Sequence, residues 1–198
     1  QGYSSAASDV YKRQVIDPVG VSGSSYRREK CLELMKIIHP TCIRGNYSEI
    51  QALLHNCGTV TGVDAAEDAL AEAEETDLPE LMKQYAKENQ MILVASGETD
   101  LITDGSCVYR CHNGSPMMAR ITGSGCMSTV MLGAFLSAEN SVESAVACCA
   151  FTGIAGELAA KEMTAQKRGT MTFRNWFIDA VSLMTPEQLE HGTDVDWF

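Results

Sequence analysis

Apolar residues along this chain recur with two periods, one suited to helices and one to strands. In "SYRREKCLELMKIIH" they fall at Cys31, Leu34, Met35 and Ile38, a helical spacing. "YSEIQALLHN", "DAAEDALAEA" and "LPELMKQYAKEN" read as further helices, the last opened by Pro79 in its first turn. Between them lie short strand-like runs: "VIDPVG", "PTCIRGN" and the aliphatic "QMILVASG". "TDLITDGSCVYRCHNG" predicts two paired strands around an Asp104-Gly105 turn. A glycine turn then leads into two long helices over roughly 126–165, and "FRNWFIDAVSLM" predicts a closing helix. Alternation of this kind implies an α/β layer fold with a mainly parallel sheet. Ligands in such folds sit at the carboxyl ends of the strands, which sets the "DPVG", "RGN", "SGE" and "TGSGC" turns along one edge. Residues 15–198 read as a single domain. The polar, aperiodic "QGYSSAASDVYKRQ" over 1–14 reads as a non-native or disordered leader.

Composition narrows the partners. The chain has 198 residues, 45% of them hydrophobic, and a net charge of −11. That is enough apolar material for a packed core, and an acidic surface argues against binding nucleic acid or anionic lipid. Eight cysteines in a chain of this size, without a secretory leader or zinc-type pairs, read as reduced small hydrophobes of a cytoplasmic protein. The run "SVESAVACCAFTGIAGELAAKEM" is apolar, yet it carries Glu143 and Glu157, whose burial in lipid would be costly. A tightly packed internal helix is expected there, and no membrane span.

Four turns carry candidate chemistry. In "RITGSGCMSTVML", Gly123 and Gly125 precede a helix whose first N–H groups and dipole offer an anion hole for phosphate. In "IRGNYSEI", Asn46 and Glu49 form a capping box by spacing, and a first-turn carboxylate can also hold Mg²⁺ through water. Arg44, just upstream, can reach a nucleotide phosphate. Asp17, before Pro18, supplies a second strand-end carboxylate or simply opens a turn. Ser96 and Gly97 place a hydroxyl and an N–H at a third strand end. Together the four turns hold what a Mg-nucleotide site needs.

The order "DPVG", "IRGN-x-x-E-I", "SGE-x-D", "ITGSGC" and "FTGIAGELAA", from Val15 to about Met184, resembles the hydroxyethylthiazole kinases. The resemblance implies a ribokinase-like three-layer α/β/α fold, incomplete at its N-terminus, where early strands and part of the thiazole pocket would lie. It implies transfer of the ATP γ-phosphoryl group to 4-methyl-5-(2-hydroxyethyl)thiazole, in thiamine salvage, by a homotrimer. Arg44 and Ser96 would contact ATP, Gly123 the thiazole, and Asp17 and Glu49 would organise Mg²⁺. Cys126 would stand at the position of the catalytic base, where most ribokinase-like relatives have aspartate. A thiol can serve because phosphoryl transfer depends mainly on positioning and charge neutralisation. It could equally be a small residue starting a helix. Two other readings stay open: a kinase of another heterocyclic alcohol, such as a pyrimidine or pyridoxal vitamer, and an inactive nucleotide-binding fragment.

Overall fold

The computed structural model describes residues 13–57 and 78–198, so the expected "DAAEDALAEA" helix and most of the 1–14 leader lie outside the described residues. Among the described residues six strands form one sheet in chain order: β1 (Val15–Ile16), β2 (Cys42–Asn46), β3 (Ile92–Ser96), β4 (Asp100–Thr103), β5 (Val108–Cys111) and β6 (Val195–Trp197). Helices α1 (Ser25–Ile38), α2 (Tyr47–Cys57) and α3 (Leu78–Asn89) come from the first half. Helices α4 (Ser124–Ala138), α5 (Val142–Ala165), α6 (Thr170–Leu183) and α7 (Pro186–Gly192) come from the second.

The period-two alternation of the strands sorts these helices into two layers. Ile43, Leu93, Ala95 and Leu101 pack with Met35, Ile50, Leu53 and Met82 of α1, α2 and α3. Their neighbours Cys42, Ile92, Val94 and Ile102 point the other way, onto Leu132, Leu136, Ala145 and Cys148 of α4 and α5. A third cluster, around Phe173 and Phe177, joins α6 to the second layer. The three-layer α/β/α expectation therefore holds.

The expectation of a mainly parallel sheet does not. Strands β1, β2 and β3 run parallel, but the β3–β4, β4–β5 and β5–β6 ladders are antiparallel. Connection length explains the change. A parallel neighbour needs a crossover of about a dozen residues or more, whereas only residues 97–99 separate β3 from β4. The strand β6, the short helix α7 and a 3-10 turn over Pro116–Arg120 carry no strong periodic signal and go unread in the sequence. Among the described strands, β1 forms one edge of the sheet and β6 the other.

Helix α5 is the expected internal helix. It is long and apolar enough to cross a membrane, but Cys148, Ala150, Gly153, Ile154, Ala155 and Ala159 are buried against the sheet and neighbouring helices. Gly153 in "FTGIAGELAA" has a packing reason: a Cβ there would lie 2.5 Å from Asn113 and 2.6 Å from its backbone. Asn113 is fixed against α5 by its amide, which donates to Glu157 Oε1 at 3.1 Å and to the Gly192 carbonyl at 2.8 Å.

Candidate functional site

The parallel strands β1, β2 and β3 bring their carboxyl ends to one edge, with Asn46 opposite Ser96 in register. There the last three residues of β2 act as a hub. Arg44 lies on the α4 face of the strand, in step with Cys42, and its Nη1 donates to the Gly125 carbonyl at 3.1 Å. The same nitrogen lies 3.5 Å from Thr129 Oγ1, and that hydroxyl donates to Asp17 Oδ2 at 2.7 Å. A chain of polar contacts thus runs from the end of β1, through α4, to β2. Gly45 accepts from Ser96 Oγ at 3.2 Å, which ties β3 to the hub. Asn46 completes it: its N–H donates to Glu49 Oε2 at 3.0 Å, and its side-chain oxygen accepts from Glu49 N at 2.9 Å.

That reciprocal pair is the capping box read from the sequence. Glu49 does more than close it, because Oε1 accepts from Gly20 N at 2.9 Å and so holds the loop that follows Asp17. The structure therefore gathers Asp17, Arg44, Glu49, Ser96 and Gly125 around one strand end.

Gly123 adopts φ 93° at the N-cap of α4, a left-handed conformation that favours glycine. Cys126 stands in the first turn of α4 and is exposed, one residue beyond the Gly125 carbonyl that Arg44 holds. The buried thiols have a different environment. Burial pushes Cys148 and Cys111 up to about 12 and raises Cys42 and Cys149 as well, so these four remain protonated and pack as small hydrophobes.

Beside the hub an open cleft is lined by Asn46, Tyr47, Ser48, Ser96, Gly97, Glu98 and Thr99. Its wall is the Ser96–Thr99 turn. Tyr47 Oη donates to the Thr99 carbonyl, and Gly97 N donates to Asp100 Oδ1 at 3.0 Å. Burial pushes Asp100 up to about 6, against the opposing effects of the Gly97 N–H and the Arg44 charge.

Sequence reasoning missed Thr129, Tyr47, Thr99 and Asp100. Thr129 carried a usable signal: it lies four residues after Gly125, hence on the same face of α4. Asp100 was visible as the acid of "SGE-x-D", but its burial was not.

Asp17 and Glu49 suit a metal's water shell better than a direct ligand set. Among the described residues no three His, Cys, Asp or Glu side chains cluster closely enough to ligate an ion. Both Glu49 oxygens accept a backbone N–H, and Asp17 Oδ2 accepts the Thr129 hydroxyl. Each carboxylate oxygen still has a second lone pair for a metal-bound water, an arrangement usual for Mg²⁺.

The sequence model of the hydroxyethylthiazole kinase family matches residues 4–187. This chain belongs to that family. It is 38% identical over 175 residues to hydroxyethylthiazole kinase 1 of Methanosphaera stadtmanae, a match covering 85% of this chain. It is 37% identical over 169 residues, or 84% of its length, to the hydroxyethylthiazole kinase of Staphylococcus carnosus. The chain spans 61% of the length of each of these curated relatives. Its fold superposes on the hydroxyethylthiazole kinase structure from Pyrococcus horikoshii OT3 with a TM-score of 0.78 and 26% identity, covering 97% of this chain and 68% of that one. Family membership accounts for the order of the strand-end motifs. The residue contacts above come from this chain alone.

Proposed function

We propose that this chain transfers the ATP γ-phosphoryl group to the primary hydroxyl of 4-methyl-5-(2-hydroxyethyl)thiazole. The observation that carries the reading is the chain Asp17–Thr129–Arg44–Gly125, which sets two strand ends against the first turn of the helix bearing Cys126.

In this reading the triphosphate lies over the strand ends. Arg44 and the free N–H groups of the first α4 turn, Gly125 among them, face its negative charge. Ser96 contacts the nucleotide from the β3 side, at the cleft wall. Gly123, whose turn sets the entry of α4, faces the thiazole. Asp17 and Glu49 would hold the waters of a Mg²⁺ bound with ATP, whose charge would offset that of the phosphates. The alcohol oxygen forms a bond to the γ-phosphorus as the bond to ADP breaks, and Cys126 stands where the hydroxyl proton is received. The transition state is loose, so orientation and charge neutralisation dominate and the base contributes roughly 10²–10⁴-fold at most.

The test measures ADP release and phosphorylated product with Mg-ATP and each of three alcohols: the thiazole, a hydroxymethylpyrimidine and pyridoxal. Product with the thiazole alone supports the reading, and product with another alcohol instead replaces the substrate. Cys126→Ala is expected to lower turnover by roughly 10²–10⁴-fold with little change in ATP affinity. Cys126→Asp should retain turnover. A dead aspartate variant together with an unaffected alanine variant removes Cys126 from the mechanism.

A further inference from the structure

The wall of the nucleotide cleft is secured from an unexpected direction. Its turn is held at Thr99 by the Tyr47 hydroxyl and at Gly97 by Asp100. A third tie leaves the cleft altogether. Thr99 Oγ1 lies 3.3 Å from His112 Nδ1, and His112 Nε2 lies 3.1 Å from Asp196 Oδ2 in the last strand. The other oxygen of Asp196 accepts from Arg110 Nε at 2.5 Å. Sheet register makes the relay possible: Arg110 pairs with Asp196, and Asp100 with Cys111, so β5 places His112 between the cleft turn and β6.

The partners fix the roles of the ring nitrogens. Arg110 and His112 hold the Asp196 carboxyl below its usual range, so it is ionised and can only accept. In the neutral ring, Nε2 must then carry the proton. Nδ1 is left with a lone pair, which accepts a hydrogen bond from the Thr99 hydroxyl. With its O–H donated to the ring, Thr99 Oγ1 keeps its own lone pairs for a donor in the cleft.

We propose that His112 is a positioning residue for nucleotide binding, holding the Thr99 hydroxyl as an acceptor for the N–H or O–H donors of the nucleoside. The proposal rests on the kinase reading of this cleft and deepens it. A strand at the far edge of the sheet thereby supports the nucleotide site without touching the ligand.

The experiment is calorimetric titration of the chain with Mg-ATP, in wild type, His112→Ala, Thr99→Val, Thr99→Ser and the His112→Ala/Thr99→Val pair. Loss of one hydrogen bond predicts a Kd raised roughly threefold to tenfold in each of His112→Ala and Thr99→Val. The pair should be no worse than the weaker-binding single variant, because both remove the same contact. Thr99→Ser should bind like wild type, and the KM for the alcohol should not move in any of them. Should His112→Ala fail to fold, Asp196→Ala and Thr99→Val carry the test from the two ends of the relay. An unchanged Kd in the single variants, or losses that add in the pair, overturns the positioning role while the kinase reading stands. A wild-type chain that does not bind Mg-ATP overturns both.

Discussion

The two halves of the sheet are built on different principles. In the parallel half, β1 to β3, the strands end in polar loops, and their tips are joined by a few hydrogen bonds among partly exposed groups: Arg44, Thr129, Asp17, Glu49 and Ser96. In the antiparallel half, β4 to β6, the α5 layer covers Ile102 and Cys111, and Asn113 is locked between α5 and the end of α7. The tips of the first half are tied by polar contacts that a ligand can engage, whereas the core of the second is fixed mainly by packing. Substitutions at the strand tips of the parallel half should cost function first, and those in the packed core of the antiparallel half should cost stability first.

Gly153 offers the harshest test of that division. Any Cβ would meet the Asn113 backbone at 2.6 Å, and backbone cannot swing aside as a side-chain end can. Gly153→Leu should therefore cost about 4 kcal/mol, beyond the usual overpacking range of about 1–3 kcal/mol. The measurement is the urea midpoint of unfolding. A stability within about 1 kcal/mol of wild type would show that the packed half yields more readily than its geometry implies.

Asp100 stands where the halves meet, at the start of β4 beneath the cleft turn, and its titration sharpens the comparison. Folding raises its pKa from 3.8 to about 6, with burial as the largest cause. Between those values the native state holds a proton that the unfolded state has released, so stability falls as pH rises from about 4 to about 6. Above that window the penalty is constant, and the shift corresponds to about 3 kcal/mol. Asp100→Asn keeps an oxygen to accept from Gly97 N and cannot ionise. Its stability relative to wild type should rise by about 3 kcal/mol between pH 4 and pH 7, read from denaturant unfolding at several pH values. A difference that does not change with pH removes burial of the charge as the cause.

The same division explains what could be read in advance. In the parallel half each strand is a short apolar run closed by a turn signal, and the candidate residues stand at or beside those strand ends. Position at a strand end was therefore legible for Asp17, Arg44, Glu49 and Ser96, and spacing anticipated the Asn46–Glu49 capping box. The α5 helix was legible because two carboxylates in a run of small residues fit a core better than a bilayer. The reversal of strand direction after β3 departs from the strand–helix alternation, because a three-residue connection forbids a crossover. β6 is three residues long and draws its place from pairing with β5, so no local pattern marks it. Contacts between distant segments were out of reach for a different reason. Thr129 lies 112 residues from Asp17, and nothing local to either announces the pair.

That pair gives the mildest expected effect and the cleanest separation of function from stability. Thr129→Val keeps the shape of the side chain but removes the donor to Asp17 and the oxygen near Arg44. Arg44 retains the Gly125 carbonyl, so it stays near the helix start, but one of its two restraints is gone. Asp17, partly exposed, can recruit water in place of the lost hydroxyl, which limits the stability cost to about 1 kcal/mol. Loosening the strand-end geometry should lower kcat/KM for the thiazole alcohol about tenfold, a barrier change of about 1.4 kcal/mol. Thr129→Ser should restore most of the rate, since the hydroxyl and not the methyl group makes both contacts. If Thr129→Val lowered stability by several kcal/mol and left kcat/KM unchanged, the strand-end contacts would belong with the packed half, and the contrast between the two regions would fail at its centre.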